Sequence, residues 1–100
     1  DPAMADFFVD YRKTYNDECK EFTNGILAYD AIYWLADAIE RAGKADSTAI
    51  KDALESTVNV QLHHAVMSID PATHNPMNKT GVVLIAKDGR GQLFTKIQPE

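Results

Sequence analysis

The sequence holds a single cysteine, Cys19, so neither an intrachain disulfide nor a cysteine-based zinc site can form. It has no apolar run of transmembrane length, because the longest apolar region is interrupted by Asp30 and Asp37. No signal-peptide pattern is present, so the compartment is not written in these residues. Positive charge is scarce and scattered. Ten Lys and Arg stand against fifteen Asp and Glu, a formal net charge of −5 that argues against a nucleic-acid partner. There is no G-x-S-x-G elbow, no Walker loop and no dinucleotide fingerprint, so no cofactor is expected. What is present is ordinary for a folded protein. With 45% hydrophobic and 25% charged residues, disorder, collagen-like repeats and low complexity are excluded. A chain of 100 residues makes one domain at most. Folding then buries about two-thirds of the unfolded surface, enough for a small core but not for an enclosed ligand cavity as well.

The periodicity predicts three helices, a strand, a long turn and a hairpin. Asp1-Pro2 suits the start of a first helix, with Asp1 as N-cap, and Phe7, Phe8, Tyr11 and Tyr15 form its apolar stripe. Asn16 to Glu21 is a polar connection. A second helix follows, capped by Thr23 or Asn24 and ended by Gly43 in a left-handed position. From Ile26 to Ile39 this helix is apolar nearly all round, and such a helix requires cover on more than one side. A third, about Asp46 to Ser56 with Asp46 or Ser47 as its cap, buries Ala49, Ile50, Ala53 and Leu54. Ala65 to Ile69 reads as a short β run, and Asp70 to Lys79 as loop. Gly81 to Ala86 has the composition of a strand buried on both faces. Asp88-Gly-Arg-Gly91 is a hairpin turn, with Gln92 to Ile97 returning.

Chemical constellations are weak. His63, His64 and His74 lack a metal-ligand pattern, and adjacent residues on an extended segment point to opposite faces, so surface or loop histidines are expected and no metal. Cys19 stands among Asp17, Glu18 and Glu21, which disfavour a thiolate, so an inert cysteine is expected. Asp30 and Asp37, seven residues apart on one helix face, fit helix-face solvation or a partner charge across an interface better than catalysis. Asn78-Lys-Thr80 matches a glycosylation sequon, a tripeptide common by chance. Phe7, Phe8, Tyr11, Tyr29, Tyr33 and Trp34 read as core rather than as a cofactor box.

Order and spacing carry a resemblance. Ala28-Tyr-Asp-Ala-Ile-Tyr-Trp-Leu-Ala-Asp-Ala-Ile-Glu-Arg-Ala-Gly43 resembles the "AYDA…LADAIERAG" helix of the type I periplasmic solute receptors of branched-chain amino-acid ABC transporters. Ser47 to Leu54 is similar to the family's next short helix, Ser68 to Pro76 to its "isfDp.thnp" turn, and Gly81 to Gly89 to its late strand and turn. Phe7 to Tyr15 is similar to the helix that comes before. Each motif alone is modest, but five in the right order cover nearly the whole chain. One departure is that the family's "G-x-hydrophobic" lead-in to the strand before the turn reads His64-Ala-Val-Met here, without the glycine.

The resemblance implies an α/β fold, the C-terminal portion of a receptor with two lobes joined by three hinge strands. Residues 1–66 would belong to the amino-terminal lobe, 67–80 to the turn and hinge crossing, and 81–100 to a hairpin of the other lobe. It also implies a non-enzymatic role: an amino acid as ligand, a membrane ABC permease as partner, and a periplasmic or extracellular location with a signal or lipid anchor upstream. In the family, the loop leading into the "YDA" helix faces the cleft, which makes Asn24, then Thr23 and Gly25, candidate ligand contacts, with Tyr29 the next candidate. The alternative from a different class is a standalone α/β interaction module that dimerises or swaps elements to hide the second helix. The hairpin is expected either docked on the helices or exchanged with another copy.

Overall fold

Pro2, with its preset φ and missing N–H, stands at the first position of helix α1 (Pro2–Tyr15) in the computed structural model, which describes residues 2–98. The expected cap Asp1 lies outside the described residues. Helix α2 spans Phe22–Ala42 and α3 spans Ser47–Glu55. Two short strands follow, β1 (Val60–Gln61) and β2 (Val66–Met67), then two longer ones, β3 (Gly81–Lys87) and β4 (Arg90–Ile97). The result is a mixed α/β chain with two separate two-stranded antiparallel sheets.

The helix boundaries follow local chemistry. Gly43, at φ 71°, ends α2 by donating its N–H to the carbonyls of Ile39 and Glu40. Asp46 caps α3, its carboxylate accepting the N–H of Ala49 at 3.0 Å. The start of α2 differs from expectation. Neither Thr23 nor Asn24 is the cap: the N-cap is Glu21, which makes no side-chain cap hydrogen bond. The backbone turn at 20–21 brings the Glu21 carbonyl onto the Gly25 N–H at 2.9 Å, so the helix is already running when Thr23 is reached.

Packing is asymmetric. α1 rests on α2 through a run of rings: Phe7 against Tyr29 with centroids 5.2 Å apart, and Phe8 against Phe22 at 6.3 Å. Gly25 makes room for the connection between them, because a Cβ there would stand 2.9 Å from Cys19 Sγ, with the Phe7 ring of α1 at 3.5 Å. Of the aromatic set expected in the core, Phe7 is buried and Trp34 is packed, whereas Phe8 and Tyr33 are substantially exposed. α3 closes on α2 at Ala38 and Ala53, both buried. The remaining core is Leu62, Met67 and Ile69, with Trp34 and Val60 against it.

β2 is shorter than the run Ala65–Ile69, and its partner β1 lies in the alternating segment Val58-Asn-Val-Gln-Leu62, which the expected elements left out. Ile69 instead bridges to Pro76 across the turn. β3 and β4 form the expected hairpin. Its two-residue turn, Asp88 (φ 53°) and Gly89 (φ 74°), takes the left-handed pair that matches strand twist, and the register slips at Val83/Leu84 so that Phe94 is the extra residue of a bulge. The expected burial of β3 on both faces is not found: every residue of β3 and β4 is exposed. A strand is covered on two faces only when sheet and helix layers flank it, and here the two strands pair with each other alone.

Candidate functional site

The segment that carries the site begins with Asp30, near the middle of α2. Its side chain is 1% exposed, an unusual place for a carboxylate. Four donors meet it. The backbone N–H groups of His63 and His64 donate at 3.1 and 2.7 Å, and the ring Nδ1 atoms of the same two residues lie at 2.7 and 2.5 Å. An ionised carboxylate only accepts, so both Nδ1 atoms carry the proton. Burial pushes the Asp30 carboxyl upward, but the hydrogen bonds from His64 and His63 outweigh it and hold the carboxyl below its ordinary value.

His63 and His64 do lie in a loop, as one half of the expectation has it, but the surface half fails for both. The chain bends at 63–64 instead of extending, which brings both rings back to one acid. The helix-face reading fails likewise for Asp30, whereas Asp37 pairs with Arg41 one turn along at 2.8 Å. The missing glycine before Val66 imposes no strain, since among the described residues none from 60 to 69 has a positive φ. His74 matches expectation: it is exposed and meets Glu55 at 3.0 Å.

His63 is held between two tyrosines, its ring edge-to-face with Tyr29 and Tyr33 at 4.9 Å each. The two tyrosine hydroxyls are 3.3 Å apart. That contact, then burial and the nearby negative groups Asp10 and Asp30, push the Tyr29 hydroxyl up to about 12. Beneath them Thr57, fully buried, is a hub. Its hydroxyl accepts from Trp34 Nε1 at 2.8 Å and Arg41 Nη2 at 3.2 Å, and donates to the Leu54 carbonyl at 2.7 Å.

The sequence-derived ligand candidates divide. Gly25 and Tyr29 line one open groove of about 580 Å³ between α1 and α2, together with Phe7, Tyr11 and Tyr15. Its walls are aromatic, with Asp10 and Lys13 adding one charge of each sign, so it can shelter an apolar side chain without enclosing it. Thr23 and Asn24 are exposed in the first turn of α2 and line no part of that groove. Among the described residues, no group of three or more His, Cys, Asp and Glu side chains is arranged to hold a metal. No helix there is long and apolar enough to cross a membrane.

What sequence reading missed is the Asp30–His63–His64 cluster and the Thr57 hub. A signal existed for the first: an acid set within a continuous apolar helix asks for a buried partner. Nothing in the sequence indicated which residues would supply it.

Comparison with known proteins gives one strong structural match. No family model matches the chain, and no curated protein matches it. The crystal structure of a leucine-binding protein, LivK of Thermotoga maritima, superposes on 99% of this chain with a TM-score of 0.80 and 31% sequence identity. The chain spans 27% of that protein's length. The fold is accordingly that of part of a periplasmic binding protein: three helices followed by small antiparallel sheets.

Proposed function

We propose that this chain serves as part of a substrate-binding receptor that captures an amino acid, branched-chain or a related small solute, and delivers it to a membrane ABC permease. The superposition of nearly the whole chain on part of a leucine-binding protein carries the reading. The binding role is non-enzymatic, and the place of action is the periplasm or the cell surface, with a lipid anchor in a Gram-positive cell.

In this reading residues 1–66 belong to one lobe, 67–80 to the crossing and 81–100 to the other lobe. The Asp30 cluster supports that division. It ties the 63–64 bend to α2, so the segment leading to the crossing leaves the helical lobe from a fixed point. Asn24 and Thr23, at the amino end of α2 where backbone N–H groups favour an anion, contact the ligand. Gly25 and Tyr29 shape the wall beside them. The completely exposed hairpin supports the reading too, since both its faces are built for cover by other layers.

Calorimetric titration of the receptor containing this segment, against leucine, isoleucine, valine, phenylalanine and urea, tests the proposal. Saturable binding of an amino acid is expected, weakened about tenfold or more by Asn24→Ala with an unchanged circular dichroism spectrum. Binding of none of these solutes overturns the reading. Unaltered affinity in the variant removes Asn24 from the site.

A further inference from the structure

The groove between α1 and α2 holds about 580 Å³, within the roughly 300–1,000 Å³ of small-molecule sites. Its apolar side chains are rings alone. Phe7 is buried there, Tyr11 and Tyr29 are half-buried, and Tyr15 is 66% exposed at the edge. Among the described residues that line it there is no Leu, Ile, Val or Met. The four rings form one connected set. Phe7 lies 5.2 Å from Tyr29 and 6.1 Å from Tyr11, and Tyr11 lies 4.7 Å from Tyr15, between centroids. Their planes are tilted to one another by 48 to 59°, so the set presents both ring edges and ring faces.

That lining discriminates between apolar side chains of similar size. A branched aliphatic group gains burial against rings and nothing more. A further ring also gains the edge-to-face attraction between the positive rim of one aromatic and the negative face of another. The polar groups point the same way. The Tyr29 hydroxyl is taken up by that of Tyr33 at 3.3 Å, which leaves its ring as the wall. Asp10 and Lys13, one helical turn apart on α1, supply one charge of each sign, so neither an acidic nor a basic side chain gains from a net charge. Position ties the groove to the solute. Gly25, which lines it, directly follows Asn24 at the amino end of α2.

We infer that the groove takes the side chain of the solute and selects an aromatic one, so that phenylalanine and its ring-bearing relatives are preferred to leucine, isoleucine and valine. This rests on the receptor reading above and narrows its solute class. Tyr11 and Tyr15 are the specificity-determining residues, since both belong to the ring set and neither touches the Asp30 cluster. Tyr29 has a second duty, its ring packing on His63 at 4.9 Å.

Paired calorimetric titrations of the receptor containing this segment, with phenylalanine and with leucine, test the inference. Phenylalanine binds about tenfold tighter. Tyr11→Leu and Tyr15→Leu each lower that ratio about threefold or more, with circular dichroism showing that each variant keeps its helices. Nuclear Overhauser contacts link the bound phenylalanine ring to the ring protons of Tyr11 or Tyr15. Heat from neither solute overturns the receptor reading and this one together. Leucine bound as tightly as phenylalanine, or more so, overturns this one alone. A ratio that neither variant moves, or a bound ring without contacts to either tyrosine, also overturns it, the groove then being filled by the rest of the receptor.

Discussion

Asp30 and His64 are 34 residues apart and joined twice, the carboxylate accepting the His64 backbone N–H at 2.7 Å and its ring Nδ1–H at 2.5 Å. With the matching pair from His63, one buried acid takes up four hydrogen-bonding groups and sets where the chain turns after α3. Helix and bend depend on each other through this one side chain.

Removing the acid should therefore cost more than an ordinary hydrogen bond. Asp30→Ala leaves backbone and ring N–H groups buried without acceptors. It should lower stability by roughly 3 kcal/mol, read from the urea midpoint. An Ala variant within about 0.5 kcal/mol of the parent contradicts this account.

The same carboxylate predicts an acid limb. Its folded value lies below the unfolded one, so its contribution is fully present above the unfolded carboxylate value, about 3.9, and is lost as pH falls through the folded value. Stability followed from pH 6 downward, at about 25 °C, should fall more steeply for the parent than for Asp30→Asn over the part of this fall below about pH 4. Parallel curves there exclude Asp30 as the source.

Trp34, the sole tryptophan, reports on the Thr57 hub through its fluorescence. Thr57→Val keeps the volume but leaves the Trp34 and Arg41 donors without their acceptor. It should cost about 2 kcal/mol and shift the emission maximum, while Thr57→Ser keeps both near the parent. Equal behaviour of the two variants counts against the hydroxyl.

Gly25 and Cys19 should be coupled. Alanine in a helix gains about 1 kcal/mol over glycine, but here its Cβ lies 2.9 Å from Cys19 Sγ. Gly25→Ala alone should be close to neutral. In a Cys19→Ala background the same change should stabilise by about 1 kcal/mol. Additive effects in the double-mutant cycle defeat the steric explanation.

The hairpin turn is a separate test. Gly89, at φ 74°, tolerates no β-branched residue, so Gly89→Val should cost roughly 1–2 kcal/mol in hairpin stability. Amide exchange in β3 and β4 should rise by an order of magnitude, with that of α2 and α3 unchanged. Equal loosening of the helices shows that the hairpin supports them.

Much of the architecture is legible in the residues themselves. The caps at Asp46 and Gly43 and the turn at Asp88-Gly89 are local events, decided within four residues by side-chain acceptors and left-handed backbone. The over-apolar second helix was legible too, including its demand for cover on two sides. The cap at Glu21 was not, because it depends on a turn that no side chain announces. For the candidate site, the sequence placed Gly25 and Tyr29 on one helix, and folding alone brought α1 against them to make a groove.

The sequence by itself determined the three helices, the ends set by Asp46 and Gly43 and the turn of the β3–β4 hairpin, since these follow from residue type and spacing. Only the tertiary structure decided which acid is buried and which is solvated. Asp30 and Asp37 are the same residue type on the same helix, yet one meets the 63–64 bend and the other meets Arg41. Partners brought together across more than thirty residues have no local pattern to betray them, because the cost of burying a charge is offset only by donors that folding delivers. The same holds for β3, whose composition promises burial and whose surroundings withhold it: cover is a property of neighbouring layers, not of the strand.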